Sequence, residues 1–331
     1  MKLNSKKLFL FFLFIILAIY VVFVVSSISA NLPKEGRNPV FYSNQMRQDL
    51  KVTCIHALKN AKKSIHLVMF GLTDENILSL LKKKSLENIS LKVFTDKTTT
   101  NQIEIKPDQL FKIRSRGLMH QKILVIDNSI VFIGSANMTT SSLRMHDNLI
   151  IGFFSSQIAD FLSQKSPLSP GFITSYVGDQ KIDVWLLPDS QDKAINRLRE
   201  LIGSAKSSIE VAMFTFTHPA LTESLIEAKK RGLNVKVAID FQSKNGASKK
   251  AIENLKNNNI EIYFNQDSKL CHHKYILLDN NTFVCGSANW TKAAFKNNYD
   301  CFVILYNLDG SQKKFMKRLW QIIQGDSALL K

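Results

Sequence analysis

The sequence predicts an α/β fold made of two tandem copies of one layered unit, preceded by a hydrophobic helix at the N-terminus. Three observations support this prediction: an apolar run near the start, a similarity between the two halves of the chain, and a polar motif that occurs once in each half. The chain has 331 residues, 45% hydrophobic and 21% charged, which is typical of a globular protein and not of a disordered one. A chain of this length contains one large hydrophobic core or two ordinary ones.

The first predicted element is the apolar run at 8–25, which has no charged residue and follows Lys2, Lys6 and Lys7. As a helix it would be about 27 Å long, close to the hydrocarbon thickness of a bilayer. The basic flank should stay in the cytoplasm and the rest of the chain should lie across the membrane. The small residues at 26–30 also suit a signal-peptide cleavage site. We therefore expect 1–30 to be a transmembrane anchor or a signal sequence, with the remainder outside the cytoplasm, either anchored or secreted.

The two halves of the chain resemble each other well beyond the motif. Residues 61–70 align with 205–214, and 91–96 align with 235–240. The second copy is longer by eight residues before its motif, around 243–259, where a helix without a counterpart is predicted. A repeat of this size indicates duplication of a domain-sized unit and not a solenoid.

The two units are predicted at 38–160 and 182–325, joined by a linker at 161–181 that is rich in Pro, Ser and Gly. Short runs of branched apolar residues alternate with amphipathic helices, as in an α/β layered unit. The strands are predicted at 122–126, 130–133, 148–154, 275–278, 282–285 and 301–306, and the helices at 74–84, 221–230 and 311–323.

The motif places six residues at the same spacing in each unit: His, Lys two places later, Asp seven places later, and then Gly-Ser-Ala-Asn. Because the His and the Lys lie two places apart at the start of a strand, they share one face and can approach the same anion. The six residues are His120, Lys122, Asp127, Gly134, Ser135 and Asn137 in the first unit, and His272, Lys274, Asp279, Gly286, Ser287 and Asn289 in the second.

These residue types suit chemistry at a phosphate. Lysine supplies positive charge, and asparagine and serine supply hydrogen-bond donors, which makes Ser135 and Ser287 candidates for substrate binding. In a two-step displacement, one neutral imidazole attacks phosphorus and one protonated imidazole protonates the departing oxygen. A carboxylate behind each ring sets its tautomer and charge, and Asp147 and Asp300, which follow the two motifs, are the candidates. We expect no cofactor and no metal, since no cluster has metal-ligand spacing.

Both motifs resemble the signature of the phospholipase D superfamily, H-x-K-x4-D-x6-G-S-x-N, without a mismatch, and the resemblance covers nearly everything from residue 38 onward. It implies two α-β-α layered units related by a pseudo-twofold axis, with both motifs at one site. It also implies that His120 is the nucleophile and His272 the acid/base. Further roles implied are phosphate binding by Lys122, Lys274, Asn137 and Asn289, and structural positions for Asp127, Asp279, Gly134 and Gly286.

The expected activity is cleavage of a phospholipid to phosphatidic acid and a head-group alcohol, with a membrane as both substrate and anchor. One alternative is a nuclease, which the net charge of +17 would favour, although a lysine-rich composition alone gives the same charge. Another is a phosphatidyl transferase such as a cardiolipin synthase. A catalytically silent binding protein would show eroded motif positions, and neither copy is eroded. We expect a monomer, because one chain carries both motifs.

Overall fold

The computed structural model describes residues 6, 11–17, 31–99, 103–266 and 269–330. The apolar run predicted at 8–25 lies mostly outside these ranges, and its described part, 11–17, is helical. Within the described ranges, no helix is both long enough and apolar enough to cross a membrane.

The first unit is a seven-stranded sheet with helices. Its strands are β1 (Val40–Tyr42), β2 (Ser64–Met69), β3 (Ser90–Asp96), β4 (Leu110–Ile113), β5 (Lys122–Ile126), β6 (Ile130–Gly134) and β7 (Ile150–Phe154), and its helices are α1 (Leu50–Asn60), α2 (Glu75–Ser85), α3 (Thr140–Arg144) and α4 (Ser156–Gln164). The strand order is β1-β7-β6-β5-β2-β3-β4. Strands β2, β3 and β4 are parallel, and β2 pairs antiparallel with the motif strand β5.

The second unit repeats this arrangement in a nine-stranded sheet. Its strands are β8 (Gly171–Val177), β9 (Gln180–Leu186), β10 (Ser208–Met213), β11 (Asn234–Ile239), β12 (Glu261–Asn265), β13 (Lys274–Leu278), β14 (Thr282–Gly286), β15 (Cys301–Leu305) and β16 (Ser327–Leu329). Its helices are α5 (Lys193–Ser204), α6 (Pro219–Lys230), α7 (Phe241–Lys244), α8 (Lys249–Asn257), α9 (Lys292–Lys296) and α10 (Gly310–Gly325). The order is β16-β12-β11-β10-β13-β14-β15-β9-β8. Helix α8 is the extra helix that the longer second copy predicts.

Short polar side chains start the helices. Asp49, Asp74 and Ser155 accept hydrogen bonds from backbone amides in the first turns of α1, α2 and α4. Asp309 forms a capping box with Gln312 at the start of α10. Each cap satisfies backbone donors that a helix leaves unpaired at its N-terminus, which fixes where the helix begins.

The segment predicted as a linker at 161–181 is largely ordered structure. Helix α4 continues to Gln164, and β8 forms a hairpin with β9 at the edge of the second sheet. Phe172 of β8 packs on Trp185 of β9, with ring centroids 4.3 Å apart. The Pro and Ser residues that suggested a linker occupy only the short connection before β8, and the branched and aromatic residues after them favour a strand.

The two sheets share one hydrophobic core. It includes Val125 of the first sheet and Tyr275 of the second, both buried. Phe41 of β1 packs against Phe283 of β14, with ring centroids 5.2 Å apart. The opposite side of each sheet is covered by helices of its own unit. The units are therefore parts of one body, and the seam between them brings side chains of both motifs together.

Candidate active site

The chain before each motif histidine is bound to the other unit. The amide of His120 donates to the carbonyl of Tyr299 at 2.8 Å, and the amide of Asp147 donates to the carbonyl of Leu270 at 2.9 Å. Isolated bridges pair Met119 with Tyr299 and Asp147 with Cys271. These backbone contacts place the two histidines on opposite sides of one seam.

Each histidine ring has a hydrogen-bond partner from the opposite unit. His120 Nδ1 lies 2.7 Å from Asp300 Oδ1, and His272 Nδ1 lies 2.9 Å from Asn148 Oδ1. The structure thus places Asp300 where a backing carboxylate was predicted. It corrects the prediction for Asp147, because the position behind His272 is occupied by the next residue, Asn148. One ring is backed by a carboxylate and the other by an amide.

The motif serines lie behind these partners. Ser287 Oγ donates to Asp300 Oδ1 at 2.6 Å, and Ser135 Oγ donates to Asn148 Oδ1 at 2.8 Å. Both serines are fully buried. Each hydroxyl holds the residue that orients a histidine. The structure therefore gives the two serines a positioning role in place of the predicted contact with substrate.

The two lysines are held alike. Lys122 Nζ donates to the carbonyl of His120 at 2.6 Å, and Lys274 Nζ donates to the carbonyl of His272 at 2.9 Å. Each ammonium also lies over a phenylalanine ring, Lys122 over Phe70 at 5.0 Å and Lys274 over Phe214 at 4.9 Å from the centroid. Burial lowers the pKa of Lys122 to about 7, although Asp300 opposes the shift. A phosphate between the lysines would favour their charged forms.

Hydrogen bonds to the backbone fix the orientation of the side-chain amides of the two motif asparagines. Asn137 Oδ1 accepts from the amide of Gly71, and Asn289 Oδ1 accepts from the amide of Thr215, each at 3.3 Å. Because these bonds use the amide oxygen, the Nδ2 group is the end that remains for a ligand oxygen. This orientation is the one that the predicted phosphate contact requires.

The electrostatics of the two imidazoles differ. Burial lowers the pKa of His120, Lys122 lowers it further, and Asp300 opposes both. Burial lowers the pKa of His272 to well below its ordinary value, and Lys274 and Lys122 act in the same direction. The charge of His120 also lowers the pKa of His272, so the two rings belong to one electrostatic site.

The motif aspartates lie away from this chemistry, in the hairpin turns. Asp127 and Asn128 have φ of 51° and 53°, and Asp279 and Asn280 have φ of 54° and 50°. Both central residues of each turn are thus left-handed, as in a type I′ turn, which Asp and Asn tolerate better than most residues. The Asp279 carboxylate also accepts from the amides of 206–208 at 2.7–3.0 Å.

We expect Asp279→Asn to lower the free energy of unfolding at neutral pH by about 1–3 kcal/mol, because hydrogen bonds to a charged acceptor are lost. Burial raises the pKa of Asp279, but hydrogen bonds from Ser208 and Lys206 outweigh it and hold the pKa below the usual value. The carboxylate therefore stabilises the fold above the unfolded pKa, and this stabilisation is lost as the pH falls through the folded pKa.

Urea unfolding at neutral and acidic pH measures this effect, with exposed Glu253→Gln as a control that removes the same charge. The gap between wild type and Asp279→Asn should narrow in acid. A gap that stays constant with pH would show that charge is not its origin.

Two further histidines adjoin the site. His273 is buried and its Nε2 lies 2.7 Å from Gln45 Oε1. The ring of His146 lies 6.1 Å from that of His272. Among the described residues, no group of three or more His, Cys, Asp or Glu side chains could hold a metal ion, and metal independence stays a prediction.

Sequence reasoning missed five residues that hold the site. Asp96 and Asp240 accept from the amides that precede the two histidines, at 3.0 and 2.8 Å. Phe70 and Phe214 pack against the histidine rings, with centroids 4.9 and 5.0 Å away. Asn148 is the fifth. The signal was present, because each aspartate and each phenylalanine aligns with its partner in the repeat.

Comparisons with known proteins identify a family that matches this chain. A family model described as "Cardiolipin synthase, PLD-like domain" matches 54–165 and 198–326. Mitochondrial cardiolipin hydrolase of Mus musculus is 32% identical over 121 residues, which are 36% of this chain and 53% of that protein. Cardiolipin synthase of Clostridium perfringens is 25% identical over 323 residues, which are 81% of this chain and 66% of that protein.

A solved structure resembles the chain over almost its whole length. Phosphatidylserine synthase of Haemophilus influenzae superposes with a TM-score of 0.69 at 14% identity, covering 91% of this chain and 89% of that one. At this identity the likeness shows the fold alone. This chain spans about half of the length of the mouse hydrolase, 53%, in the alignment given above.

Proposed function

This chain belongs to the phospholipase D superfamily, and on that basis we propose that it transfers the phosphatidyl group of one phospholipid to an alcohol through a phosphohistidine intermediate. The alcohol that we favour is a second lipid, as the name of the clostridial relative suggests. This proposal replaces the expected hydrolysis to phosphatidic acid as the first choice, because a relative that aligns over 81% of the chain is named a synthase.

The observation that carries the proposal is the arrangement of the two motifs across the seam. Each ring is oriented by a residue of the opposite unit, His120 by Asp300 and His272 by Asn148. One ring can form a bond to phosphorus while the other moves a proton, and Lys122 and Lys274 offer positive charge to the phosphate. Such an intermediate reacts with whichever hydroxyl compound enters the pocket, so transfer and hydrolysis differ only in the acceptor.

Exposed apolar side chains on the segments beside the histidines support a lipid substrate. Leu118, two residues before His120, is 42% exposed, and Met145, beside His146, is 59% exposed. Hydrolysis is the second candidate, supported by the mitochondrial cardiolipin hydrolases among the relatives. A membrane anchor at 1–30 stays part of the proposal, since it would hold the site near its lipid.

The test uses the full chain in mixed micelles with phosphatidylglycerol, and the products are identified by mass spectrometry. We expect cardiolipin and glycerol in equal amounts, with little phosphatidic acid, and no product with the His272→Asn variant. Phosphatidic acid as the main product would instead establish hydrolysis. Degradation of single-stranded DNA that falls steeply with salt, without any lipid product, would show that the chain is a nuclease.

A further inference from the structure

Each unit has a pocket beside the segment that leads into its motif histidine. The first-unit pocket, of about 440 Å³, lies where strands β3 and β4 end, and the second-unit pocket, of about 460 Å³, lies where β11 and β12 end. Asp96, which holds the amide before the first histidine, lines the first-unit pocket. Asp240, its counterpart, directly precedes Phe241 of the second-unit pocket. The two pockets therefore occupy corresponding places in the repeat.

The linings of the two pockets differ in charge. Two cations, Lys97 and Arg114, line the first-unit pocket. Lys97 corresponds to Phe241, because each follows one of the two aspartates, and Arg114 corresponds to Gln266, because each lies six places before the motif histidine. The ammonium of Lys244 lies over a ring of the second-unit pocket, 4.9 Å from its centroid. That pocket is otherwise lined mainly by apolar side chains: Phe241, Phe264, Ala328, Leu329 and Leu330.

The two cations of the first-unit pocket are available to a ligand. Both are exposed, and neither forms an ion pair with any residue that the structure describes. The carboxylate of Asp96 is already used, because its Oδ1 accepts from the amide of Thr98 at 2.9 Å and its Oδ2 from the amide of Met119 at 3.0 Å. A lysine and an arginine together attract an oxyanion, and the planar guanidinium binds phosphate through two parallel hydrogen bonds.

We propose that Lys97 and Arg114 form a second phosphate site, which binds the phosphodiester of the acceptor phospholipid while its head-group alcohol reaches the histidines. The inference rests on the proposed transfer function and adds the chemical class of the acceptor, an alcohol that is joined to a phosphate. Phosphatidylglycerol is such an acceptor, since one glycerol carries both its phosphodiester and its free hydroxyls. Water carries no phosphate, so the site favours transfer over hydrolysis.

This second phosphate site is separate from the place of the reacting phosphate. A reaction that joins two phospholipids must accommodate two phosphates, of which only one is attacked. Lys122 and Lys274 are buried beside the histidines, where charge develops at the reacting phosphorus. Lys97 and Arg114 are exposed and suit a phosphate that keeps its charge in contact with water. Because the second-unit pocket lacks this pair, the acceptor phosphate lies on the side of the first unit.

The lining of the first-unit pocket fits a lipid phosphate better than the backbone of a polynucleotide. Exposed Leu118 and half-buried Ile113 line it beside the two cations. This lining, all of it in the described part of the chain, contains no aromatic ring on which a base could stack. An amphiphile presents charge next to apolar carbon, as these side chains do. The exposed Phe241 and Leu329 of the second-unit pocket offer further apolar contact.

The test measures which of two soluble acceptors receives the phosphatidyl group in a single reaction. The full chain in mixed micelles is given phosphatidylglycerol as the donor, with equal concentrations of glycerol and of glycerophosphoglycerol, which carries a phosphodiester beside its free hydroxyls. The ratio of the two products depends on the acceptor alone, because the first step is common to both. We expect wild type to prefer glycerophosphoglycerol, and the double variant Lys97→Gln, Arg114→Gln to lower this preference by about tenfold.

Two variants serve as matched controls. Gln266→Ala changes the residue of the second-unit pocket that corresponds to Arg114. Lys249→Gln combined with Lys250→Gln removes the same amount of charge from exposed positions on α8. Both controls should keep the product ratio within about twofold of wild type, because isolated surface charges contribute little.

A double variant of Lys97 and Arg114 with the wild-type ratio would overturn the second phosphate site. Equal use of glycerol and glycerophosphoglycerol by wild type would also overturn it, and so would a double variant that loses only salt-sensitive cleavage of single-stranded DNA. Failure of the proposed transfer function gives a different result, namely phosphatidic acid as the sole product of wild type. Inhibition of that hydrolysis by glycerophosphoglycerol then decides the inference. The double variant should need about tenfold more inhibitor, and an unchanged inhibitory concentration would overturn the site.

Discussion

Replacement of either His120 or His272 by asparagine is expected to lower phosphodiester turnover by about 10³-fold or more, without unfolding the protein. Proton transfer alone contributes about 10²–10⁴-fold in enzymes, and loss of the nucleophile removes the covalent route altogether. In the proposed mechanism the two rings act on one phosphate from opposite sides of the seam. The turnover of the double variant should therefore be only slightly lower than that of the less active single variant, because residues that act as a unit have non-additive effects.

Steady-state rates with phosphatidylglycerol, together with thermal unfolding, provide the measurement. His146→Asn is the matched control, since its ring lies 6.1 Å from that of His272 and the equivalent residue of the second unit is Asn298. We expect the control to stay within about tenfold of wild type. Retention of more than a tenth of the activity by either motif variant, in a folded protein, would contradict a two-histidine site.

The repeat made the fold predictable. Periodicity and capping residues locate the main elements to within a few residues: the helix predicted at 74–84 is Glu75–Ser85, and the strand predicted at 122–126 is Lys122–Ile126. The shared core between the sheets was not predictable in the same way. Strands such as β5 and β13 are buried on both faces, and local pattern alone does not tell whether a helix or another sheet covers a face.

The candidate site was predictable in its residue types and less so in its pairings. Asp147 was chosen because a carboxylate suits an imidazolium, although equal spacing from the motif asparagine points to Asn148. The structure favours spacing over residue type, since the position is fixed by pairing of β7 with β6, as it is for Asp300 by β15 with β14. Hydrogen bonds between the two units also cannot be predicted from the pattern of one unit alone, because His120 and its partner Asp300 lie 180 residues apart.

That same pairing of strands makes the motif glycines sensitive positions for stability. A Cβ atom on Gly134 would lie 2.2 Å from the carbonyl oxygen of Leu149 and 2.7 Å from Ile150 Cα. On Gly286 it would lie 2.2 Å from the carbonyl oxygen of Cys301 and 2.5 Å from Phe302 Cα. These neighbours are backbone atoms of paired strands, which cannot move aside as a flexible side chain can.

We therefore expect Gly134→Ala and Gly286→Ala each to cost about 3 kcal/mol or more of unfolding free energy, in the range of severe overpacking, and to lower the melting temperature or the yield of soluble protein. Gly203→Ala is the control, because an added Cβ there meets nothing within 4 Å and alanine is the better helix former. It should be neutral or stabilising by up to about 1 kcal/mol.

Denaturant unfolding of the three variants compares these effects directly. The strain should also displace the residues behind the histidines, because Leu149 and Cys301 directly follow Asn148 and Asp300 in the chain. Any Gly286→Ala protein that remains folded should thus lose activity through displacement of Asp300 from His120. A Gly286→Ala variant with wild-type stability and wild-type turnover would show that the strand pair is free to separate. It would also show that the close approach of β14 and β15 does not hold Asp300 against His120.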